Sequence, residues 1–278
     1  MSTITAQDVK KLRDTTGAGM MDCKKALTES NGDFDAAVDY LRKKGAKVAE
    51  LRAGRDANEG VVYILTNSAN NFGIMVQVGC ETDFVAKNES FIEFVKSIAT
   101  LALDNKIKTT EDLLDSDLNG VSVTERINEK VGSIGENISI QSYHAIEGTY
   151  IATYNHNFRA GVMVALNMDG NDTVAGIGKD LAMQIAAMKP VAIDETSVSQ
   201  EQKDREKAIA RDKAAAEGKP ENILDKIAEG ALTKFYKEFT LLNQDYIKDT
   251  KKTIAQVLKE TNADLKVTSF VRTELGTK

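Results

Sequence analysis

A strand-turn-strand pattern occurs twice in this chain and restricts the possible folds more than any single motif. Glu59-Gly60-Val61-Val62-Tyr63-Ile64 leads through Asn70-Asn71-Phe72-Gly73 into Ile74-Met75-Val76. Far downstream, Glu147-Gly148-Thr149-Tyr150-Ile151-Ala152 leads through Asn155-His156-Asn157-Phe158 and Gly161 into Val162-Met163-Val164. In each copy Glu-Gly opens a strand, an Asn-rich turn reverses it, and a second strand enters a helix-bearing segment. For the second copy that helix is expected at Lys179 to Met188, with Gly176 and Gly178 as a turn before it and Pro190 as its stop. The pattern predicts an α+β core of two related subdomains, each with antiparallel strands covered by helices. Ile138 to Tyr143 alternates in polarity and is expected to open the second subdomain.

The junction between strand and helix in the first copy is Glu81-Thr82-Asp83-Phe84-Val85. Before it, Gly73 to Val78 is a mostly apolar strand. After it, Phe91, Phe94, Val95, Ile98, Ala99 and Ala102 recur at helical spacing. The junction holds a carboxylate beside an aromatic ring. Exposed, the pair would make a wedge into a partner; folded back, Phe84 would close the local core, as most Phe side chains do. Spacing leaves both readings open.

Upstream, three short helices are expected to form a small bundle. Thr5 and Asp8 make an approximate capping box, with Ile4 and Val9 as its staple, and Val9 and Leu12 give the first helix an apolar edge. Met20 to Glu29 is the second helix. Asp33 caps a third that carries Phe34, Ala37, Val38 and Leu41 on one face. Met20-Met21 followed by Lys24-Lys25 makes either a mixed docking surface or one packed methionine beside solubilising lysines. Gly45 to Glu59 reads as a tether or a helical extension.

Between the copies, Thr110 is expected to cap Glu111 to Asp115, and Val121 to Val131 to form a helix with Ile127 and Val131 inward. After Pro190, two long helical candidates, Ser199 to Glu217 and Glu221 to Phe239, flank Gly218-Lys219-Pro220. So short a break predicts an antiparallel hairpin, either solvated or in contact with a second copy. Leu241 to Ile247 is a loop with large side chains. A helix with Ile254, Val257 and Leu258 follows, and Ala263 to Leu275 supplies a last strand.

Composition excludes several classes. The net charge of −6 argues against broad attraction to nucleic acid. Cys23 and Cys80 are too few for a disulfide framework, which fits a reducing cytoplasm. No signal-like or membrane-length apolar run is present. His144 and His156 are the only histidines, which weakens metal-site and Ser-His-Asp proposals. Neither phosphate-loop motif occurs, so no nucleotide, cofactor or metal site is expected.

Thr16-Gly17-Ala18-Gly19-Met20-Met21-Asp22-Cys23-Lys24-Lys25-Ala26-Leu27 and Thr82-Asp83-Phe84-Val85-Ala86-Lys87, in this order, resemble the bacterial elongation factor Ts family. The Gly161 to Val164 strand, the Leu181 to Pro190 helix and the Gly218-Lys219-Pro220 tip extend the resemblance over nearly the whole chain. It implies a UBA-like N-terminal three-helix bundle (residues 1–55, with linker) and core subdomains at 56–136 and 137–192. It also implies a helical hairpin inserted at 193–240 and a closing part with tail at 241–278. The implied activity is exchange without covalent catalysis: opening the nucleotide site of elongation factor Tu, so that GDP leaves and GTP enters.

Position by position, the resemblance assigns intrusion and disturbance of the partner's Mg2+ and phosphate site to Thr82, Asp83, Phe84 and Val85. It assigns partner contacts to Leu12, Met20, Lys24, Arg52, His156 and Ile247. Self-association, including a 2:2 complex, is compatible with it; direct nucleic-acid or membrane binding is not expected. Longer members continue into a further C-terminal helix, so that contact is expected to be reduced here. A protein-binding scaffold that does not promote exchange is the rival reading.

Overall fold

Ile4 packs against the first helix's apolar edge, so the chain is already committed to a bundle where the described residues begin; the computed structural model describes residues 4–276. Helix α1 (Ala6–Thr16) starts at a complete Thr5/Asp8 capping box and stops at Gly17 in the left-handed conformation. With α2 (Met20–Glu29) and α3 (Phe34–Arg52) it encloses Val9, Leu12, Cys23, Ala26, Leu27 and Ala37. Of the two readings of Gly45 to Glu59, the helical extension holds as far as Arg52. Residues Gly45 to Arg52 continue α3 without a break, and Asp33 caps the whole.

The first copy consists of β1 (Glu59–Thr66), β2 (Phe72–Cys80), the one-turn α4 (Asp83–Ala86) and α5 (Glu89–Asp104). All six residues of the expected α5 stripe are buried, and Asn88 caps the helix. Helix α6 (Thr110–Asp115) is capped by Thr109, one residue before the expected Thr110. Helix α7 (Val123–Ile134) begins at a Ser122/Glu125 capping box, with Ile127 and Val131 inward as expected.

Strand β3 (Ser139–Glu147) corrects one expectation. It pairs antiparallel with β2, giving a sheet of order β1-β2-β3, and so completes the first subdomain rather than opening the second. The second sheet has order β4-β5-β8, from β4 (Tyr150–His156), β5 (Ala160–Leu166) and β8 (Val267–Glu274). Each copy thus receives its third strand from a remote segment.

Helix α8 (Asp172–Met188) covers the second sheet and starts before both glycines expected in a turn. Gly178 lies inside it because a Cβ there would stand 2.7 Å from the Ala152 Cβ; its absence lets the helix approach β4 closely. Helices α9 (Gln200–Ala216) and α10 (Glu221–Phe239) form the antiparallel hairpin, bridged by Lys207–Glu229 and by Arg211 to Asp225 and Glu221. Strands β6 (Asp245–Tyr246) and β7 (Asp249–Thr253) and helix α11 (Ile254–Thr261) close the second subdomain. The tail beyond residue 276, where a reduced contact is expected, lies outside the described residues.

Val62, Met75, Ile151 and Met163 join the inner faces of the two sheets in one apolar cluster. Their duplication is also visible in the backbone. The β1–β2 turn accepts the Ile151 N–H of β4 at Asn70 O (2.6 Å), and the β4–β5 turn accepts the Val62 N–H of β1 at Phe158 O (2.7 Å). Each hairpin turn therefore caps the other copy's first strand, satisfying edge groups that would otherwise be bare.

Candidate functional site

Helix α4 is too short to hold itself, so its orientation depends on what grips its base. Thr82 is the N-cap, its Oγ1 accepting the Val85 N–H at 3.4 Å. Successive helical residues point about 100° apart. Val85 packs on the first subdomain's core and Ala86 is buried in it, while Phe84 is turned out, 84% exposed. Of the four residues expected to intrude, only Asp83 and Phe84 face outward. Thr82 caps the turn, and the partly buried Val85 packs toward the core.

The Asp83 carboxylate meets Lys87 Nζ at 2.6 Å. This hydrogen bond and charge, with help from the Asp83 and Phe84 N–H groups, hold the carboxyl below the usual aspartate range. Asp83 is therefore an anion at neutral pH, beside a ring with few contacts of its own.

Beneath the pair lies a set of interactions with no local signal in the sequence. Glu136 Oε2 accepts the N–H groups of Glu81 and Thr82, each at 3.1 Å, and its Oε1 accepts the Thr82 hydroxyl at 2.7 Å. In return, Glu81 Oε1 accepts the Asn137 N–H at 2.7 Å. Arg52 and Arg55 approach Glu81 at 3.3 and 3.4 Å. The Asn137 N–H, then Arg55 and Arg52, hold the Glu81 carboxyl below its usual range. Arg52, expected to meet a partner, is already engaged at the base of α4. A 55-residue separation hid the Glu136 contact from sequence reasoning.

The bundle reaches this corner through α3, which crosses α7 at glycines. A Cβ on Gly132 would stand 2.8 Å from the Gly45 Cα, so only hydrogen on both sides permits the approach. Arg42 pairs with Glu129 of α7 at 3.2 Å beside the crossing. On α2, Met20 and Met21 are 46% and 75% exposed, and Lys24 and Lys25 are exposed too. Neither methionine is packed away. Leu12, expected on this docking face, is fully buried in the bundle core and can only support the face from beneath.

His156 ends β4 at the turn that docks on β1, exposed, its Nδ1 3.0 Å from the Tyr154 hydroxyl. The turn holds Asn157 and Phe158 at positive φ, an unfavourable conformation for a bulky residue. Phe158 stacks on Tyr63 with ring centres 5.7 Å apart, and Arg159 meets Glu59 at 2.6 Å. Asp83 contributes to the field at Arg159, so this turn belongs to the same corner as α4. Ile247 lies apart, 40% exposed between β6 and β7, its N–H held by Gln184 Oε1 at 2.9 Å.

Among the described residues no cluster of His, Cys, Asp and Glu could hold a metal ion, and no helix is long and apolar enough to cross a membrane. The arrangement puts an exposed ring and a carboxylate on a braced turn, and an exposed apolar-basic patch on the bundle.

Comparison with known proteins finds relatives over nearly the whole chain. A family model described as elongation factor TS matches residues 81–277. Elongation factor Ts of Amoebophilus asiaticus is 48% identical over 274 residues, covering 98% of this chain and 99% of that protein. The Cytophaga hutchinsonii protein of the same name is 48% identical over 278 residues, covering 99% and 100%. That of Chlorobaculum tepidum is 43% identical over 287 aligned positions, again covering 99% and 100%.

Proposed function

This chain belongs to the elongation factor Ts family, and from that premise we propose that Phe84 and Asp83 are the wedge by which it opens its partner's nucleotide site. Membership sets the biochemical role: the chain promotes nucleotide exchange on elongation factor Tu and carries out no covalent chemistry of its own. The mechanism is the part proposed here. The Met20-Met21-Lys24 surface docks on the partner's nucleotide-binding domain, and α4 enters beside the groups that hold Mg2+ and phosphate. Phe84 supplies buried apolar contact there, while Asp83 supplies charge and hydrogen-bond direction.

Such a factor works by binding one partner state better than another. Binding that weakens GDP is weakened by GDP in turn, and GTP entry releases the factor by the same coupling. The observation that carries this reading is the exposure of Phe84: a large apolar ring held out in water on a braced turn gains free energy only when a partner covers it. His156 and Ile247 supply further contacts from the second subdomain. The place of action is the cytoplasm.

The test is addition of this protein, in catalytic amounts, to elongation factor Tu loaded with fluorescent GDP. Accelerated release, with no hydrolysis by the factor alone, is expected. Tight binding without acceleration would make the chain a scaffold, and nucleotide turnover by the factor alone would require an enzymatic account.

A further inference from the structure

We propose that Glu136 is a positioning residue for exchange, fixing the pose of the Phe84 turn before the partner arrives; the inference rests on the wedge reading of Phe84. Two backbone hydrogen bonds close the α4 turn, Ala86 N to Thr82 O and Lys87 N to Asp83 O. Val85 and Ala86 are its apolar anchors. So small an element does not set its own direction. The direction comes from its base, where the Glu136 carboxylate gathers three donors from Glu81 and Thr82, and Glu81 reaches back to the Asn137 N–H. The two segments hold each other through reciprocal carboxylate contacts.

The position of Glu136 follows from α7. That helix ends at Gly135 in the left-handed conformation, which turns the chain so that the next side chain meets Thr82. A carboxylate suits the role better than any neutral group. It accepts at both oxygens, and its bonds to N–H and O–H donors are charge-assisted. A glutamine of equal size is uncharged. With its oxygen on the two N–H groups, its NH2 would face the Thr82 hydroxyl, which would then have to accept rather than donate. Arg52, the last residue of α3, joins the ring through Glu81, so the helix leaving the bundle and the helix under the core meet at one brace. Once the bundle has docked, a wedge already held in its bound pose loses less entropy on entering the nucleotide site.

The test compares Glu136→Gln with Phe84→Ala in the full chain. For Glu136→Gln, amide hydrogen exchange at residues 81 and 82 should accelerate while the β2 interior stays protected. GDP release at saturating factor should fall about tenfold, the loss of about 1.4 kcal/mol of pre-organisation in the exchange-competent complex. Affinity should change far less than release, because Met20, Met21 and Lys24 are untouched; a merely structural role would move affinity and thermal midpoint together. Thr82→Val, which removes the hydroxyl donor from the same carboxylate together with the α4 cap, should reproduce the split should Glu136→Gln fold poorly. Full release by both brace variants alongside impaired Phe84→Ala would overturn the positioning role. Unimpaired Phe84→Ala would overturn the wedge reading itself, and the role of Glu136 in exchange with it.

Discussion

Lys87 Nζ stands 2.6 Å from Asp83 Oδ2, one helical turn along. The carboxylate thus has an intramolecular partner before it meets any other protein. An exposed pair of this kind contributes little to stability. Because the folded carboxyl is depressed, the pair is complete above the ordinary aspartate range and is lost only as pH falls through the lowered value. Asp83→Asn keeps the shape of the side chain and removes its charge. Stopped-flow GDP release should therefore show a smaller loss than Phe84→Ala, confined largely to low salt. A loss as great as that of Phe84→Ala, unchanged at high salt, would contradict this ranking.

Lys24→Ala should weaken association without disturbing the fold, since Lys24 is an exposed lysine beside two exposed methionines. A solvent-screened, charge-assisted contact predicts an affinity loss of about two- to tenfold. Titration calorimetry with matched circular-dichroism melts separates the effects. Unchanged affinity, or a melt shifted as far as affinity, would remove Lys24 from the docking surface.

Gly132→Ala tests whether the bundle's orientation matters. The added Cβ would meet the Gly45 backbone at 2.8 Å, so α3 or α7 must shift. Overpacking costs about 1–3 kcal/mol, against about 1 kcal/mol regained in helix propensity. Denaturant melts should show a net loss of about 1 kcal/mol between these opposing effects. Affinity should also fall although no contact residue has changed, because docking patch and wedge no longer reach the partner together. Unaltered affinity would show that the two act independently.

The brace should resist acid. The Asn137 N–H and the guanidinium groups of Arg55 and Arg52 depress the Glu81 carboxyl, so its contribution is fully present above the ordinary glutamate range. It disappears as pH falls through the lowered folded value. The Asn137 amide resonance, followed by NMR through an acid titration, should move with a midpoint below that of an unperturbed glutamate. A midpoint at or above the ordinary range would mean that the Asn137 contact does not hold in solution.

Local pattern and remote pairing divide what was legible in the sequence. The α5 stripe, the Thr5/Asp8 box, the β1–β2 hairpin and the α9–α10 hairpin all rest on spacings within a few turns of chain, and each stands as read. Glu147, expected with Gly148 to open a strand, instead ends β3, and β4 begins at Tyr150 and runs through His156. Strand β3 belongs to the first sheet although its position suggests the second, because alternation marks a strand without naming its neighbour. Gly178 signals a turn locally, whereas its reason is Ala152 on a strand across the core. At the candidate site, motif order singled out Asp83 and Phe84, but sequence could not decide which way the ring faced. The separate duties of Thr82 and Val85, the burial of Leu12 and the grip of Glu136 all depend on packing between distant segments.

Phe84→Ala decides the wedge mechanism. The ring is 84% exposed, so its truncation opens no cavity and the calorimetric melting temperature should stay near that of the parent. Loss of a central aromatic contact should cost the exchange-competent complex about 2–4 kcal/mol. Stopped-flow release of fluorescent GDP from elongation factor Tu, at saturating factor, is the measurement. A rate far below the parent's, from a fully folded variant, is the predicted result; a parental rate at saturation would contradict the mechanism.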